Sequence, residues 1–290
     1  MTETTPPRAF AESIGRVRET IRGATRLLVC LDFDGTLAPI VDAPNAARPT
    51  PENQAAVEAL ASEPRVTTAV VSGRALSDVR DRIDGPSIYA GNHGLELERY
   101  DSTVVHPVAR KRADRLETVC SLLERTVETI PNCRVENKRL TGTVHFRSVP
   151  DPLWPLVRRR TREVVDRHGE SLELSTGKRI LEIEPDFDWG KGNAVELIAA
   201  DLPAETVPIY VGDDVTDESA FEAVEPDGVG VRVGDASPSA ASVRVATPDE
   251  VASLLDWLGS TAVPLLNRPS EATSPTDPSL PPEPVGLGGE

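Results

Sequence analysis

The 290-residue sequence predicts an α/β protein built on a parallel sheet and interrupted by a smaller α+β module. Two patterns carry this prediction. Toward both ends of the chain, apolar runs of strand length alternate with helical segments, the signature of βαβ units whose sheet is covered on both faces. The middle instead reads as a helix followed by two strands, twice over, which describes an antiparallel sheet backed by helices.

In order, a leading helix is expected over residues 9–24, and LLVCLDF from Leu27 has the composition of a buried strand. A helix near 51–62, the strand VTTAVV at 66–71, a helix from 76 to 82 and a strand near 87–90 continue the alternation. A long helix near 107–129 then leads to CRVENK and TGTVHFRSV, two strands joined by a short turn. A helix near 152–167 precedes SLELS and RILEIEP, with Thr176-Gly177-Lys178 as their turn. The βαβ pattern resumes with a helix near 191–200, the strand VPIYVG, a helix near 216–223, the strand VGVRV and a closing helix near 248–258. The expected organisation is therefore a helical leader at 1–23, a core formed by 24–103 and 184–262, an inserted module at 104–183 and a tail at 263–290. The tail carries seven prolines from Pro264 onward and is expected to be disordered.

Charge excludes several partners. The formal net charge is −16 with a pI near 4.8, a field that repels nucleic acid and anionic membranes. No apolar segment approaches the roughly 20 residues of a transmembrane helix, and the opening residues MTETTPPRAF show no signal pattern. Three cysteines, Cys30, Cys120 and Cys133, form no spaced framework, so reduced thiols and a cytoplasmic location are expected. Only four lysines, at 111, 138, 178 and 191, stand against 27 arginines. An acidic, lysine-poor surface points to a chain adapted to high salt, where self-repulsion is screened.

Four motifs sit at strand-to-helix junctions, the end of an open α/β sheet where ligands bind. Asp32-Phe33-Asp34-Gly35-Thr36 places two carboxylates at i and i+2 with a glycine at the turn. Ser72-Gly73-Arg74 offers a hydroxyl and free N–H groups at a helix start. Lys191 opens a helix, where a cation opposes the dipole and a purely structural role is disfavoured. Gly212-Asp213-Asp214-Val215-Thr216-Asp217-Glu218 crowds acids that repel one another unless a cation neutralises them, and oxygen ligands favour Mg²⁺. Each alone has an ordinary explanation as a turn, a cap or a solvated cluster. The four in this order do not.

Together they resemble the haloacid dehalogenase superfamily of phosphatases, whose motifs read DxDGT, S/T, K and GDxxxD. The resemblance covers residues 27–260 and implies a Rossmann-like parallel-sheet core with an inserted α+β cap. It further implies Asp32 as nucleophile, Asp34 as general acid and base, and Ser72 and Lys191 as holders of the phosphoryl oxygens, with Gly73 and Arg74 beside them. Mg²⁺ would sit on the carboxylates of Asp32 and Asp213 and the carbonyl of Asp34, while Asp214 and Asp217 orient the metal's waters and Lys191.

The segments around the cap resemble trehalose-6-phosphate phosphatases. Tyr89-Ala90-Gly91-Asn92-His93-Gly94-Leu95-Glu96 is similar to that family's G-[SN]-HG-x-E, Glu136-Asn137-Lys138 to its ENK, His145-Phe146-Arg147 to its H-[YF]-R, and Gly177 through Glu182 to its GK-x-x-x-E. Carried over, Glu136, Lys138 and Glu182 would bind sugar hydroxyls and Asn92 would meet the sugar at the core–cap boundary. Arg147 and Lys178 would reach toward the phosphate side or the hydroxyls beside it, and His93 would be an orienting strut. The chain departs from the family at Trp189-Gly190, where an acidic residue is frequent before the lysine. The expected activity is hydrolysis of trehalose 6-phosphate by a monomer, with a trehalose-phosphate synthase as functional partner. Another capped sugar phosphatase, acting on sucrose 6-phosphate or a glycosyl-phosphoglycerate, and a non-catalytic sugar-phosphate sensor are the alternatives.

Overall fold

The computed structural model describes residues 5–41, 44–100, 102–177 and 179–267. It begins with β1 (Arg8–Ala9), α1 (Phe10–Thr20) and β2 (Arg26–Leu31). Helix α2 (Pro51–Ala61) starts where the sequence writes a start. The Thr50 hydroxyl accepts from Asn53 N at 3.1 Å, and Pro51 takes the first helical position, where a missing N–H costs nothing. Strand β3 (Val66–Val71), helix α3 (Leu76–Arg80) and strand β4 (Ile88–Gly91) follow, then β5 (Glu96–Arg99) and β6 (Ser102–Val105).

The middle of the chain holds α4 (Pro107–Val127), β7 (Arg134–Asn137), β8 (Gly142–His145), α5 (Trp154–His168), β9 (Leu172–Gly177) and β10 (Ile180–Pro185). The last part supplies α6 (Lys191–Ala200), β11 (Thr206–Gly212), α7 (Glu218–Val224), β12 (Val229–Val233), β13 (Val243–Val245) and α8 (Pro248–Trp257).

Two sheets result. The larger has nine strands in the order β1-β13-β12-β11-β2-β3-β4-β5-β6, parallel as far as β4 and antiparallel beyond it. The smaller is antiparallel, in the order β7-β8-β10-β9, so the two expected hairpins join through β8 and β10.

Alternation within β2 explains the layering. Leu27, Val29 and Leu31 pack with α1, α2, α3 and α8 on one face, and Leu28 and Cys30 pack with α6 and α7 on the other. Both faces are covered, as a parallel sheet requires. The small sheet packs its apolar face on two helices: Val144, Leu181 and Ile183 meet Leu116, Val119, Leu123, Val157 and Val165 of α4 and α5.

Several expectations are corrected. The leader is part of the large sheet, since Arg8 and Ala9 pair with Val243 and Arg244 while Val17 and Ile21 enter the core. The hairpin β5–β6 extends that sheet to Val105, and the small sheet runs to Pro185. The first residues assigned to the tail are packed: Val263 and Leu266 are buried, Arg65 donates to both their carbonyls, and Asn267 N donates to Ala24 O at 2.8 Å. The remainder of the tail, 268–290, lies outside the described residues. The three thiols are free, and burial pushes Cys120 to about 12 and Cys133 to about 11.

Candidate active site

Strands β3, β2 and β11 lie side by side with Val70 level with Leu31 and Leu31 level with Val211. Their carboxyl ends therefore bring Ser72, Asp32 and Asp213 to one edge, and Asp32 N donates to Val211 O at 2.9 Å. Helix α6 begins beside them, with Gly190 N donating to Asn193 Oδ1 at 2.9 Å and so placing Lys191 at the first helical position.

Lys191 is 3% exposed and donates to Asp32 Oδ1 and to Asp217 Oδ1, both at 2.7 Å. Asp217 Oδ1 also accepts from the Tyr210 hydroxyl at 2.7 Å, and its Oδ2 accepts from Asp214 N at 2.9 Å. The two carboxylates answer the objection that a cation opposes the helix dipole. Burial pushes the Asp32 carboxyl well above the usual range, Lys191 pulls it down, and Asp217 and Asp213 push it up again. For Lys191, burial is outweighed by Asp217 and Asp32, which hold it charged.

Asp32, Asp213 and Asp217 present oxygens within 4.8 Å of one another. Three carboxylates against one ammonium leave a net negative, all-oxygen cluster, which fits a hard divalent cation. The oxygens of Asp217 are already engaged, so Asp32 and Asp213 are the carboxylates that suit the ion. Gly35 makes room for this: at φ +90°, a Cβ there would lie 2.3 Å from the Asp213 carboxylate.

Asp34 is fixed by a neighbour the sequence assigns elsewhere. Arg74 Nε donates to its Oδ2 and Nη2 to its Oδ1, each at 2.6 Å, while Nη1 donates to Asp78 Oδ2 at 2.8 Å. Arg74 therefore grips the Asp34 carboxylate on both oxygens rather than standing open to a phosphoryl group, and the carbonyl is the Asp34 oxygen left to suit a cation. Ser72 is buried and its Oγ accepts from Arg74 N at 3.2 Å, which shapes the loop. Gly73 lies under His93, whose ring a Cβ would meet at 2.6 Å.

The small sheet turns its polar face to this edge. Lys138 Nζ donates to Gly73 O at 2.9 Å, so it reaches the Ser72 loop rather than a distant surface. His93 Nε2 lies 3.9 Å from Glu182 Oε1 and 3.8 Å from Glu184 Oε1, ion-pair distances beyond a hydrogen bond. Burial pushes Glu182 up, but His93, Lys138 and Lys191 outweigh it and hold the carboxyl at about 2. Glu136 Oε2 is 2.7 Å from His145 Nε2, and this contact lowers its pKa against the effect of burial. Arg147 is half-buried just past β8, with no hydrogen bond among the described residues. Lys178 lies outside the described residues.

Asn92 is corrected. It is fully buried, its Oδ1 accepts from Thr141 Oγ1 at 2.7 Å, and its Nδ2 donates to Glu96 Oε2 at 3.1 Å and Lys138 O at 3.3 Å. With no exposed surface and both ends of its amide bonded within the protein, it ties β4 to the β7–β8 turn instead of facing a sugar. Glu96, the acid that closes the G-[SN]-HG-x-E segment, shares this role, since it also accepts from Leu76 N and Arg139. Tyr210 is a site residue that no motif marks, and its one signal in the sequence is a tyrosine in an otherwise apolar strand, whose hydroxyl needs a partner.

A strand-end aspartate pair, a buried lysine and an acid cluster on a parallel sheet with an antiparallel cap define a haloacid dehalogenase-fold protein. The chain matches a haloacid dehalogenase-like hydrolase from Bacteroides thetaiotaomicron in fold, with TM-score 0.59 at 15% identity over 80% of this chain and 99% of that one. More narrowly, the chain belongs to the trehalose-phosphatase family, whose model matches residues 30–249. It is 39% identical over 246 residues to a trehalose-phosphate phosphatase of Mycobacterium ulcerans, covering 81% of this chain and 62% of that protein. With trehalose-phosphate phosphatase B of Arabidopsis thaliana it shares 33% identity over 76% of this chain and 63% of the other. The chain thus spans less than two thirds of the length of these relatives. A solved trehalose-6-phosphate phosphatase related protein superposes with TM-score 0.72 at 25% identity, covering 82% of this chain and 99% of its own.

Proposed function

We propose that this protein is a Mg²⁺-dependent phosphatase that hydrolyses trehalose 6-phosphate to trehalose and inorganic phosphate. The observation that carries the reading is the facing of two surfaces. A buried Asp32–Lys191–Asp217 cluster lies on the core, and a polar cap face with Glu136, Lys138 and Glu182 lies over the Ser72 loop.

In this reading Asp32 attacks phosphorus, the bond from phosphorus to the sugar oxygen breaks, and Asp34 gives its proton to the departing alcohol. Water then gives a proton to Asp34 as its oxygen attacks phosphorus, the bond from phosphorus to the Asp32 oxygen breaks, and inorganic phosphate leaves with the Asp32 carboxylate restored. Ser72 and Lys191 hold the phosphoryl oxygens as charge spreads over them. The carboxylates of Asp32 and Asp213 and the carbonyl of Asp34 would hold Mg²⁺, which would offset the charge between carboxylate and phosphoryl group. Asp217 keeps Lys191 aimed at Asp32. The reading extends to a monomer acting in a cytoplasm of high salt, with trehalose-phosphate synthase as the activity that supplies its substrate.

Phosphate release from a panel of sugar phosphates, with and without Mg²⁺, tests it. The expected outcome is metal-dependent turnover with the highest kcat/KM on trehalose 6-phosphate. Equal or greater kcat/KM on sucrose 6-phosphate or a glycosyl-phosphoglycerate refutes the substrate, and undiminished turnover in chelator refutes the metal.

A further inference from the structure

The polar face of the cap holds one group that neither the motifs nor the family resemblance single out. Thr143 on β8 pairs with Glu136 of β7 on one side and with Glu182 of β10 on the other. Directly opposed residues share a face, so the three form one row across the sheet, which Ser175 of β9 continues beyond Glu182. The next residue along, Val144, faces the helices, which leaves Thr143 on the side that carries Glu182 toward His93.

Thr143 is 1% exposed, and its Oγ1 has no hydrogen-bond partner among the described residues. A buried hydroxyl without a partner is costly, so the position favours valine unless something else meets it. The carboxylates on either side are both held ionised, by His145 and by the charges around Glu182, and can only accept. A hydroxyl between them can donate or accept. Neighbouring hydroxyls of a sugar ring offer the complement, donors for the two carboxylates and an oxygen for the threonine.

We infer that the Thr143 hydroxyl is a specificity-determining group that reads the sugar hydroxyls of the phosphate ester between Glu136 and Glu182, an inference that rests on the sugar-phosphatase reading above.

Thr143→Val and Thr143→Ser, assayed on trehalose 6-phosphate and on p-nitrophenyl phosphate, test this. Valine is expected to lower kcat/KM on the sugar phosphate about fivefold to tenfold, mostly through KM, the size of one net hydrogen bond. Turnover of p-nitrophenyl phosphate, which has no hydroxyls to read, stays unchanged, and serine restores the sugar activity to within about twofold. Thermal unfolding without substrate gives an independent check. Removing an unsatisfied hydroxyl leaves Tm unchanged or raises it by about 2 °C. An equal loss on both substrates, no loss on either, or a lowered Tm overturns the inference. A wild-type protein that cleaves p-nitrophenyl phosphate but none of the sugar phosphates overturns the parent reading instead.

Discussion

The carboxylate of Asp34 is held by both arms of a guanidinium fork, and the same arginine is tied to Asp78 and stacked 5.2 Å over the Phe33 ring. A planar, bidentate partner fixes orientation in a way that lysine cannot. The fork favours the ionised carboxylate, so in the proposed reaction Arg74 positions Asp34 as a base, and the pair has to loosen before Asp34 can carry a proton. Arg74→Ala is expected to reduce kcat/KM about 10- to 100-fold, the scale of a misplaced reacting group, with Arg74→Lys recovering little. Because both changes act through one carboxylate, Arg74→Ala combined with Asp34→Asn should cost no more than Asp34→Asn alone. Additive losses would place Arg74 on the phosphoryl group instead. The lysines tell a related story at this scale. Lys191 and Lys138 end on a carboxylate pair and a loop carbonyl respectively, point contacts for which a compact ammonium is suited.

Strands, rather than loops, set the spacing of the cap's polar groups. Glu182 is placed by its register against Thr143 and Ser175, and its charge is stabilised by groups from other elements: His93 after β4, Lys138 after β7 and Lys191 on α6. Because folding depresses its pKa from about 4.5 to about 2, the ionised form stabilises the folded state at neutral pH. That contribution is complete above the unfolded value and is lost as pH falls toward the folded one. Glu182→Gln is thus expected to lower stability by roughly 1–3 kcal/mol at pH 7, with the gap closing between pH 4.5 and 2. Thermal unfolding of both forms across that range checks it, and a gap independent of pH would mean that Glu182 acts only through packing. Elements of this kind were legible in the sequence where burial is alternate or complete, as in VTTAVV and VGVRV. The hairpin β5–β6 was not legible, because Glu-Leu-Glu-Arg has one apolar residue in four and its strand character comes from pairing with β4. The short β1 is likewise a strand only because it pairs with β13 at the sheet edge, and β13 is held between it and β12.

Across the whole molecule the charge is unevenly placed. Helices α4 and α5 carry Arg110, Lys111, Arg112, Arg115 and Arg125, and Arg158, Arg159, Arg160, Arg162 and Arg167, against few acids, so the excess of acid falls on the rest of the chain. With −16 overall, self-repulsion opposes folding at low ionic strength and is screened at molar salt, where the Debye length is about 3 Å. The expected outcome is a midpoint of unfolding that rises from millimolar to molar KCl, and a flat or falling curve would remove the high-salt reading.

What the sequence by itself determined is the fold class, the order of its main helices and core strands, and the junctions that bring Asp32, Ser72, Lys191 and Asp213 to one edge. These depend on local composition and on where the chain must turn, and both are written residue by residue. Only the tertiary structure decided which groups face one another: that Arg74 holds Asp34, that the amide of Asn92 is buried and bonded within the protein, and that Thr143, flanked in register by Glu136 and Glu182, is buried without a hydrogen-bond partner for its hydroxyl among the described residues. The physical reason is that a side chain's role follows from which of its hydrogen-bonding groups are still open, and partners far apart in the chain take up those groups.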